Sequence, residues 1–263
     1  MDTTPFIAPL MTPPAPATPP PLQAMQVVAG YGTQPVLQGL SLTVAPGEIY
    51  ALLGGNGAGK TTTLSLFLGF VRPQQGQVRV NGIDPVQDAQ AARRQLAYIP
   101  ENVALYEHLS AEENLAYLLQ LAEQPATPAS IGQALQEAGL QPEAHARRVA
   151  GFSKGMRQKV AVALALARRV PALLLDEPTS GLDPLACADF NRLLTRLRAR
   201  GVATLMVTHD LLAVADVADR IGFIDAGRVQ EEVAAQAGPP STPGAPRFDV
   251  LALYRRYAAG VAA

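Results

Sequence analysis

The residues most able to do chemistry lie in a glycine-rich segment, Gly54 to Thr61, which reads Gly-Gly-Asn-Gly-Ala-Gly-Lys-Thr. It fits the pattern G-x-x-x-x-G-K-[ST], in which glycines let backbone N–H groups approach a phosphate without obstruction by side chains. The segment follows an apolar run, Ile49 to Leu53, and opens a helix-like run from Lys60 to about Phe70. A helix that begins there directs its N-terminal dipole at the same phosphate. The sequence therefore predicts a nucleotide phosphate site between a strand and a helix.

Individual positions of this loop have distinct expected contacts. The Lys60 ammonium group would reach the β- and γ-phosphates, and the Thr61 hydroxyl would bind Mg²⁺. The alternative is a glycine-rich turn that binds nothing. The predicted strand before the loop and the Lys-Thr pair after it favour the phosphate site. The residues predicted to bind the nucleotide here are Gly54, Gly55, Asn56, Gly57, Ala58, Gly59, Lys60, Thr61 and Thr62.

A pair of carboxylates, Asp176 and Glu177, comes directly after the apolar run Ala172 to Leu175. In phosphate-loop proteins the acid that ends such a strand holds Mg²⁺, and Asp176 is expected to do so. Glu177 would lie just past the strand end, where it can act as general base and polarise an attacking water. On its own, the pair could equally be a solvated acidic turn before Pro178. Together with the phosphate loop, it favours hydrolysis of the nucleotide over binding alone.

The elements that must position these residues follow from the apolar pattern. Alternating apolar and polar residues predict half-buried antiparallel strands at Met25 to Val28 and at Leu40 to Val44. Continuous apolar runs, typical of strands buried on both faces, recur at Ala203 to Val207 and at Ile221 to Ile224. Helix-period segments such as Leu185 to Leu197 separate the apolar runs. Alternation of strands and helices predicts an α/β fold with a parallel sheet.

Other segments depart from this alternation. Ser110 to Arg148 is expected to be helical throughout, punctuated by prolines, as an insertion into the α/β core. Eight prolines in residues 1–22 predict an extended, disordered arm. A second Pro/Gly/Ser stretch, Gly238 to Pro246, leads to a short helical tail at about Leu251 to Tyr257. We therefore expect an arm at 1–23, a nucleotide-binding domain at 24–235 with a helical subdomain at about 101–155, and a linker with a short tail at 236–263.

Composition excludes several classes of protein. Lys plus Arg number 21 against 22 Asp plus Glu, a net charge of −1 that argues against non-specific binding of nucleic acid. The single cysteine, Cys187, excludes an internal disulfide framework and a Cys-based zinc site, and is expected to be a packing residue. No apolar stretch approaches the roughly 18 residues of a membrane span. We therefore expect a cytoplasmic protein without nucleic-acid partners.

At this point the sequence resembles the ATP-binding-cassette (ABC) family over about residues 24–235. Tyr31 lies 23 residues before Gly54, where the family places an aromatic residue that stacks on adenine. Residues 152–156, Phe-Ser-Lys-Gly-Met, take the place of the family's Leu-Ser-Gly-Gly-Gln signature. The resemblance implies that Ser153 and Gly155 contact phosphate, whereas Lys154 and Met156 depart from the common form. In isolation, the segment reads as an ordinary Ser-capped helix start.

Further positions carry the same resemblance. Residues 180–183, Ser-Gly-Leu-Asp, follow the acidic pair as the family's D-loop does, which implies a nucleotide-binding role for Asp183. His209, 32 residues after Glu177, matches the family's switch histidine and implies a γ-phosphate contact. His108 and His145 lack such support and are expected to be structural. Glu101 stands where the family has a glutamine that contacts Mg²⁺; a carboxylate is also an oxygen ligand, but its charge is expected to make this coordination more dependent on Mg²⁺.

The resemblance also implies partners. In the family, the phosphate loop of one subunit and the signature of another close over one ATP, and this chain carries one set of motifs, so a homodimer is expected. Transport would require a separate integral membrane permease, which places the chain at the inner face of the cell membrane. Residues 100–102, Pro-Glu-Asn, and 153–158, Ser-Lys-Gly-Met-Arg-Gln, look most like the ATPases of bacterial exporters, and like the ATPase that serves copper-site maturation of nitrous oxide reductase.

Two other classes are alternatives. A non-transport ABC ATPase acting on another macromolecular complex, such as ribosomes or DNA, usually has two cassettes or coiled-coil insertions, and neither is present here. A GTPase would show an Asn-Lys-x-Asp guanine reader, which is absent, and a nucleotide kinase does not account for the signature, the D-loop and His209 together. We therefore expect an ATP-hydrolysing subunit of an ABC transporter. Its expected cofactors are ATP and Mg²⁺.

Overall fold

The computed structural model describes residues 18–32, 34–236 and 247–261, with side chains through Arg255. Most of the proline-rich arm and the stretch from Gly238 to Pro246 lie outside the described residues. The strands are β1 (Leu22–Ala29), β2 (Leu37–Val44), β3 (Ile49–Leu53), β4 (Gln75–Val80), β5 (Leu96–Ile99), β6 (Ala172–Asp176), β7 (Ala203–Thr208), β8 (Arg220–Asp225) and β9 (Arg228–Ala234). The helices are α1 (Lys60–Phe67), α2 (Ala89–Arg94), α3 (Ala111–Leu121), α4 (Pro128–Glu137), α5 (Pro142–His145), α6 (Lys154–Arg168), α7 (Pro184–Ala199), α8 (Leu211–Ala215) and α9 (Val250–Val261), with a 3₁₀ turn at Val149–Gly151.

Two sheets form the framework. The larger has the order β5-β6-β7-β3-β8-β9, in which the first five strands are mutually parallel and β9 pairs antiparallel with β8. The smaller is antiparallel, with the order β2-β1-β4. The predicted α/β fold with a parallel sheet and an N-terminal antiparallel β subdomain is confirmed. The strand predicted at Met25 begins three residues earlier, at Leu22, because the antiparallel pairing continues to Val44 and Val80.

The central strands are buried on both faces, as their unbroken apolar sequences predict. Every residue of β3 is fully buried, and its side chains alternate between two hydrophobic clusters. Ile49, Ala51 and Leu53 face the cluster that includes the helical insertion, whereas Tyr50 and Leu52 face the cluster that includes the antiparallel sheet. Full burial of each leucine or isoleucine contributes about 1.5–3 kcal/mol. This packing fixes the end of β3, from which the phosphate loop departs.

The insertion between β5 and β6 is helical but not continuous. Turns at 122–127 and 138–141 separate α3, α4 and α5. The prolines act as helix starts: Pro128 and Pro142 each occupy the first helical position, where the missing N–H removes no hydrogen bond. Capping boxes at Ser110 and Thr127 fix two of the starts. The insertion packs on α6 through α3 and α4.

The C-terminal segment folds back onto the domain. The predicted tail helix is present as α9, and Phe248 and Leu253 are buried in the main hydrophobic cluster. Arg247 forms an ion pair with Asp219, and its carbonyl accepts a 2.9 Å hydrogen bond from the Gln236 N–H. The described part of the tail is therefore held against the core by apolar burial and by charge. No helix within the described ranges is long and apolar enough to cross a membrane.

Candidate nucleotide site

The phosphate loop joins the carboxyl end of β3 to the start of α1, as its motif requires. Gly57 and Gly59 adopt φ values of 82° and 111°, a region that disfavours side chains. A Cβ at Gly59 would also lie 2.7 Å from Cδ2 of Leu37 on β2. The glycines therefore serve both the turn and the close approach of the antiparallel sheet. All predicted nucleotide residues from Gly54 to Thr62 lie in this loop or in the first turn of α1.

Lys60 is buried and bends back over its own loop. Its Nζ donates hydrogen bonds of 2.7 Å to the carbonyl of Gly54 and 3.1 Å to the carbonyl of Gly55. Nζ also lies 4.0 Å from Oε1 of Glu177. Burial lowers the pKa of Lys60, and the negative charges of Glu177 and Asp176 oppose that effect. The ammonium group is thus placed between the loop and the acidic pair.

Glu177 is held by the end of the neighbouring strand β7. Its Oε2 accepts a 2.7 Å hydrogen bond from the Thr208 hydroxyl, and its Oε1 lies 2.9 Å from Nδ1 of His209. Its backbone N–H donates to the carbonyl of Val207 at 2.9 Å. The Glu177 side chain is only 15% exposed, whereas that of His209 is 60% exposed. The structure therefore brings together Lys60, Glu177 and His209, which are far apart in the sequence.

Asp176 ends β6 beside a tyrosine of the neighbouring strand β5. The Tyr98 hydroxyl donates a 3.3 Å hydrogen bond to Oδ2 of Asp176. Burial raises the pKa of Asp176, and the negative charges of Glu177 and Glu101 add to the rise. Burial and Asp176 raise the pKa of Tyr98 to about 12. The sequence analysis did not predict a role for Tyr98. Its position three residues before Glu101 was the one feature that could have indicated it.

The oxygen ligands proposed for a metal lie around the same edge of the sheet. Thr61 is exposed in the first turn of α1, Asp176 ends β6, and Glu101 follows β5. Among the described residues, no group of three or more His, Cys, Asp and Glu side chains could hold a metal by itself. Mg²⁺ commonly takes one or two carboxylates together with phosphate oxygens and water. This hard-oxygen donor set fits Mg²⁺ that arrives with a nucleotide.

The signature and D-loop residues lie at helix starts. The Ser153 hydroxyl caps α6 and accepts a 3.3 Å hydrogen bond from the Met156 N–H, so the Ser-capped helix start is present. Asp183 caps α7 in the same way, accepting a 2.9 Å bond from the Ala186 N–H. A Cβ at Gly155 would lie 3.7 Å from Cδ2 of Leu182, so the signature packs beside the D-loop. These contacts describe how the two segments are held.

Tyr31 lies beside the helix that follows the phosphate loop. Its hydroxyl donates a 3.1 Å hydrogen bond to the Ser65 hydroxyl on α1. The residue is 62% exposed, which leaves its ring accessible for stacking. The sequence predicted Tyr31 but not its anchor, Ser65.

Residues expected to be structural have packing contacts. His145 is buried, with Nε2 3.0 Å from the carbonyl of Leu140, and His108 packs edge-on against Tyr106. The Cys187 thiol is half-buried, 3.9 Å from the carbonyl of Thr179. Gln158, which the sequence reading missed, is fully buried on α6 and donates to the Pro178 carbonyl next to the acidic pair.

Comparison with known proteins identifies the family. The ABC transporter family model matches residues 37–180. The lipopolysaccharide export system ATP-binding protein LptB of Haemophilus influenzae is 34% identical over 79% of this chain and 88% of its own length. The bacitracin transport ATP-binding protein BcrA of Bacillus licheniformis is 35% identical over 77% of this chain. The methionine import ATP-binding protein MetN of Caulobacter vibrioides is 38% identical over 78% of it. The matches span 66% of BcrA and 64% of MetN, slightly under two thirds of each.

Solved structures agree with this assignment. The ATP-binding subunit of an ABC transporter superposes with a TM-score of 0.71 at 34% identity, covering 81% of this chain and 89% of that one. A dimeric post-hydrolysis structure of the ATP-binding cassette MJ0796, bound to ADP and Pi, gives 0.71 at 25% identity, covering 82% of this chain and all of that one. The relatives named above include an export protein, LptB, and an import protein, MetN. This chain belongs to the ABC transporter family as an ATP-binding subunit, and ATP hydrolysis is its expected activity.

Proposed function

We propose that this chain is the ATP-hydrolysing subunit of an export-type transporter, in which two copies close over ATP and act on a separate membrane permease. The observation that carries the proposal is the position of the Glu177 carboxylate. It lies 4.0 Å from the ammonium group of Lys60 and 2.9 Å from the ring of His209, at the mouth of the phosphate loop. A general base has to be held within hydrogen-bond reach of its water.

The phosphate-binding part is assigned to the loop and the acidic edge. Lys60 would exchange the carbonyls of Gly54 and Gly55 for β- and γ-phosphate oxygens, and the loop N–H groups would donate to the same phosphates. Thr61, Asp176 and Glu101 would hold Mg²⁺, which neutralises phosphate charge when bound. The exposed ring of Tyr31 would stack on adenine.

The hydrolytic part is assigned to Glu177 and His209. Thr208 holds the Glu177 carboxylate and the backbone of β7 holds the Glu177 main chain, so that the carboxylate can accept a proton from water without first having to be ordered. His209 is mostly exposed and can exchange Glu177 for the γ-phosphate. Lys60, released from Glu177, can then follow the phosphate charge.

The shared site needs a second copy. Ser153, Gly155 and Asp183 lie at the starts of α6 and α7, and we propose that they complete the phosphate site of a partner. Asn56, Gly57 and Thr61 of the loop are exposed, which suits contact with another subunit. MJ0796, which resembles this chain, forms a dimer.

The proposals of export and of a separate permease are supported by a named relative, by two sequence segments and by the lengths of the described helices. LptB is described as part of an export system, whereas MetN is described as an import protein. The Pro-Glu-Asn and Ser-Lys-Gly-Met-Arg-Gln segments favour export. The described helices include none that could cross a membrane, so a permease would supply the transport path. The chain would then lie in the cytoplasm at the inner face of the membrane.

The test is Mg²⁺-dependent ATP hydrolysis by the purified chain over a range of protein concentrations. We expect the rate to rise more steeply than linearly with concentration, because two copies form each site. Glu177→Gln is expected to abolish turnover, and the control Glu143→Gln, which alters an exposed carboxylate in the insertion, is expected to leave it unchanged. Unchanged turnover in Glu177→Gln would remove Glu177 from the role of general base.

A further inference from the structure

A salt bridge joins the two motif positions at which the chain departs in charge from the family pattern. Nζ of Lys154, in the signature segment, lies 3.6 Å from Oε1 of Glu101. The Ser180 hydroxyl donates a 2.9 Å hydrogen bond to the same oxygen. Glu101 follows β5 at the entry to the helical insertion, Lys154 opens α6, and Ser180 follows the acidic pair. One carboxylate therefore connects three segments that carry separate motifs.

The stability of α6 does not account for Lys154. A cation at the first position of a helix lies at the end where the dipole favours negative charge. The first turn of α6 contains no acidic residue that could balance it. The side chains of Lys154 and Glu101 are 25% and 45% exposed, and an ion pair of this kind stabilises a fold only weakly. The contact is therefore better explained by the placement of the Glu101 carboxylate.

Glu101 adds negative charge to an edge that already holds two carboxylates. The ammonium group of Lys154 balances the added carboxylate. Lys154 and Ser180 both engage Oε1, so that oxygen can serve as a ligand alongside Thr61 and Asp176 only if at least one of them gives way.

We propose that Lys154 is a positioning residue that competes with Mg²⁺ for the Glu101 carboxylate, and so couples the signature segment to the magnesium ligands of its own chain. The inference rests on the proposed function, in which Glu101 is a ligand of Mg²⁺. Coupling between two partners of one group is reciprocal, so each weakens the hold of the other. The Mg²⁺ requirement for nucleotide binding is therefore set partly by Lys154.

The test measures the Mg²⁺ concentration for half-maximal binding of the fluorescent nucleotide N-methylanthraniloyl-ATP to the full chain. The parent protein carries Glu177→Gln, so that hydrolysis does not consume the nucleotide. Lys154→Gln is expected to lower the required Mg²⁺ concentration about two- to fivefold, in line with the loss of one partly exposed ion pair. In a protein that also carries Glu101→Gln, the same lysine substitution is expected to have no effect.

A matched control separates this contact from general charge. Lys159→Gln removes the same charge from the same helix, where Lys159 pairs with Asp189 at 3.6 Å, and is expected to leave the Mg²⁺ requirement unchanged. Lys154→Arg, which keeps the charge, is expected to behave as the parent, and thermal melts establish that each variant is folded. Equal effects of Lys154→Gln and Lys159→Gln would overturn the inference, as would an effect of Lys154→Gln that persists with Glu101→Gln.

The same experiment separates this inference from the function on which it rests. A parent chain that binds no nucleotide at any Mg²⁺ concentration would contradict the proposed function. A parent that binds nucleotide, with one Mg²⁺ requirement common to all variants, would contradict the role of Lys154 alone.

Discussion

The hydroxyl of Thr208 donates a 2.7 Å hydrogen bond to Oε2 of Glu177, where β7 and β6 end side by side. Thr208 is fully buried, and the preceding residue, Val207, accepts the backbone N–H of Glu177. Glu177 has a φ of 44°, a conformation uncommon for a residue with a side chain. The end of β7 therefore holds both the backbone and the carboxylate of the proposed general base.

Removal of this hydroxyl is expected to slow hydrolysis without weakening nucleotide binding. Thr208→Val keeps the shape of the side chain but removes its bond to the Glu177 carboxylate, whose remaining hydrogen bonds among the described residues are with His209. It also removes the bond that the hydroxyl accepts from the Asp210 N–H. We expect kcat for ATP hydrolysis to fall about 10- to 100-fold, since a small displacement of a catalytic group has effects of this size. The control is Thr195→Val on the exposed face of α7, where the Thr195 hydroxyl donates to the carbonyl of Asn191. Equal kcat values for the two variants would contradict the positioning role of Thr208.

Asp176 is expected to reduce stability in exchange for its function. Burial and neighbouring carboxylates raise its pKa, so its charged form is less favourable in the folded chain than in the unfolded chain. The resulting penalty is present at pH values above the folded-state pKa and is lost as the pH falls through that pKa toward the ordinary value of 3.8. Asp176→Asn removes it at neutral pH.

We therefore expect Asp176→Asn to melt about 1–3 °C higher than the parent at pH 7 without nucleotide. A shift of this size corresponds to an increase of up to about 1 kcal/mol in the free energy of unfolding. The difference is expected to shrink as the pH is lowered, and Mg²⁺-dependent hydrolysis is expected to be lost. The measurement is differential scanning calorimetry at several pH values. A lower melting temperature for the variant at pH 7 would show that the charge of Asp176 stabilises the fold.

Tyr31 gives a prediction about affinity. Stacking of a base on an aromatic ring contributes about 1–3 kcal/mol, so Tyr31→Ala is expected to raise the Kd for ATP about 5- to 100-fold. Tyr31→Phe keeps the ring and loses only the hydrogen bond to Ser65, and is expected to change the Kd less than about threefold. Isothermal titration calorimetry measures both. Unchanged affinity in Tyr31→Ala would exclude the proposed stacking.

The C-terminal segment gives a prediction about stability. Phe248 is buried against the domain, whereas Leu251, three residues on, is 61% exposed. Phe248→Ala is expected to destabilise the chain by about 2–4 kcal/mol, somewhat less than the roughly 3–5 kcal/mol typical of buried aromatic residues, because Phe248 lies in a terminal segment. Leu251→Ala is expected to change stability by less than about 0.5 kcal/mol. Urea unfolding curves compare the two, and matching midpoints would mean that Phe248 is not packed in solution.

Local patterns predicted the parts of the fold that depend on local sequence. The apolar run before Gly54 and the run before Asp176 are unbroken, so the strands β3 and β6 and the positions of the loop and acidic pair could be inferred. The strand β5 has only four residues, and β9 is mostly exposed and polar, so neither has a strong period. Because β5 was not predicted, the contact between Tyr98 and Asp176 could not be predicted.

Contacts between residues far apart in the sequence could not be predicted from local patterns either. The bond from Thr208 to Glu177 joins residues 31 apart, and that from Ser180 to Glu101 joins residues 79 apart. Nothing in the spacing of Lys154 indicated that it pairs with Glu101. Such contacts depend on which strands and helix starts become neighbours, which only the assembled sheet determines.

The most direct test of the central claim, that two copies close over ATP around Glu177, is the molar mass of Glu177→Gln in solution. Light scattering with size-exclusion chromatography measures this mass with ATP and Mg²⁺, and again with ADP and Mg²⁺. The chain has a mass of 27.7 kDa. We expect twice that mass with ATP and the single-chain mass with ADP. A single-chain mass at saturating ATP would contradict the shared site.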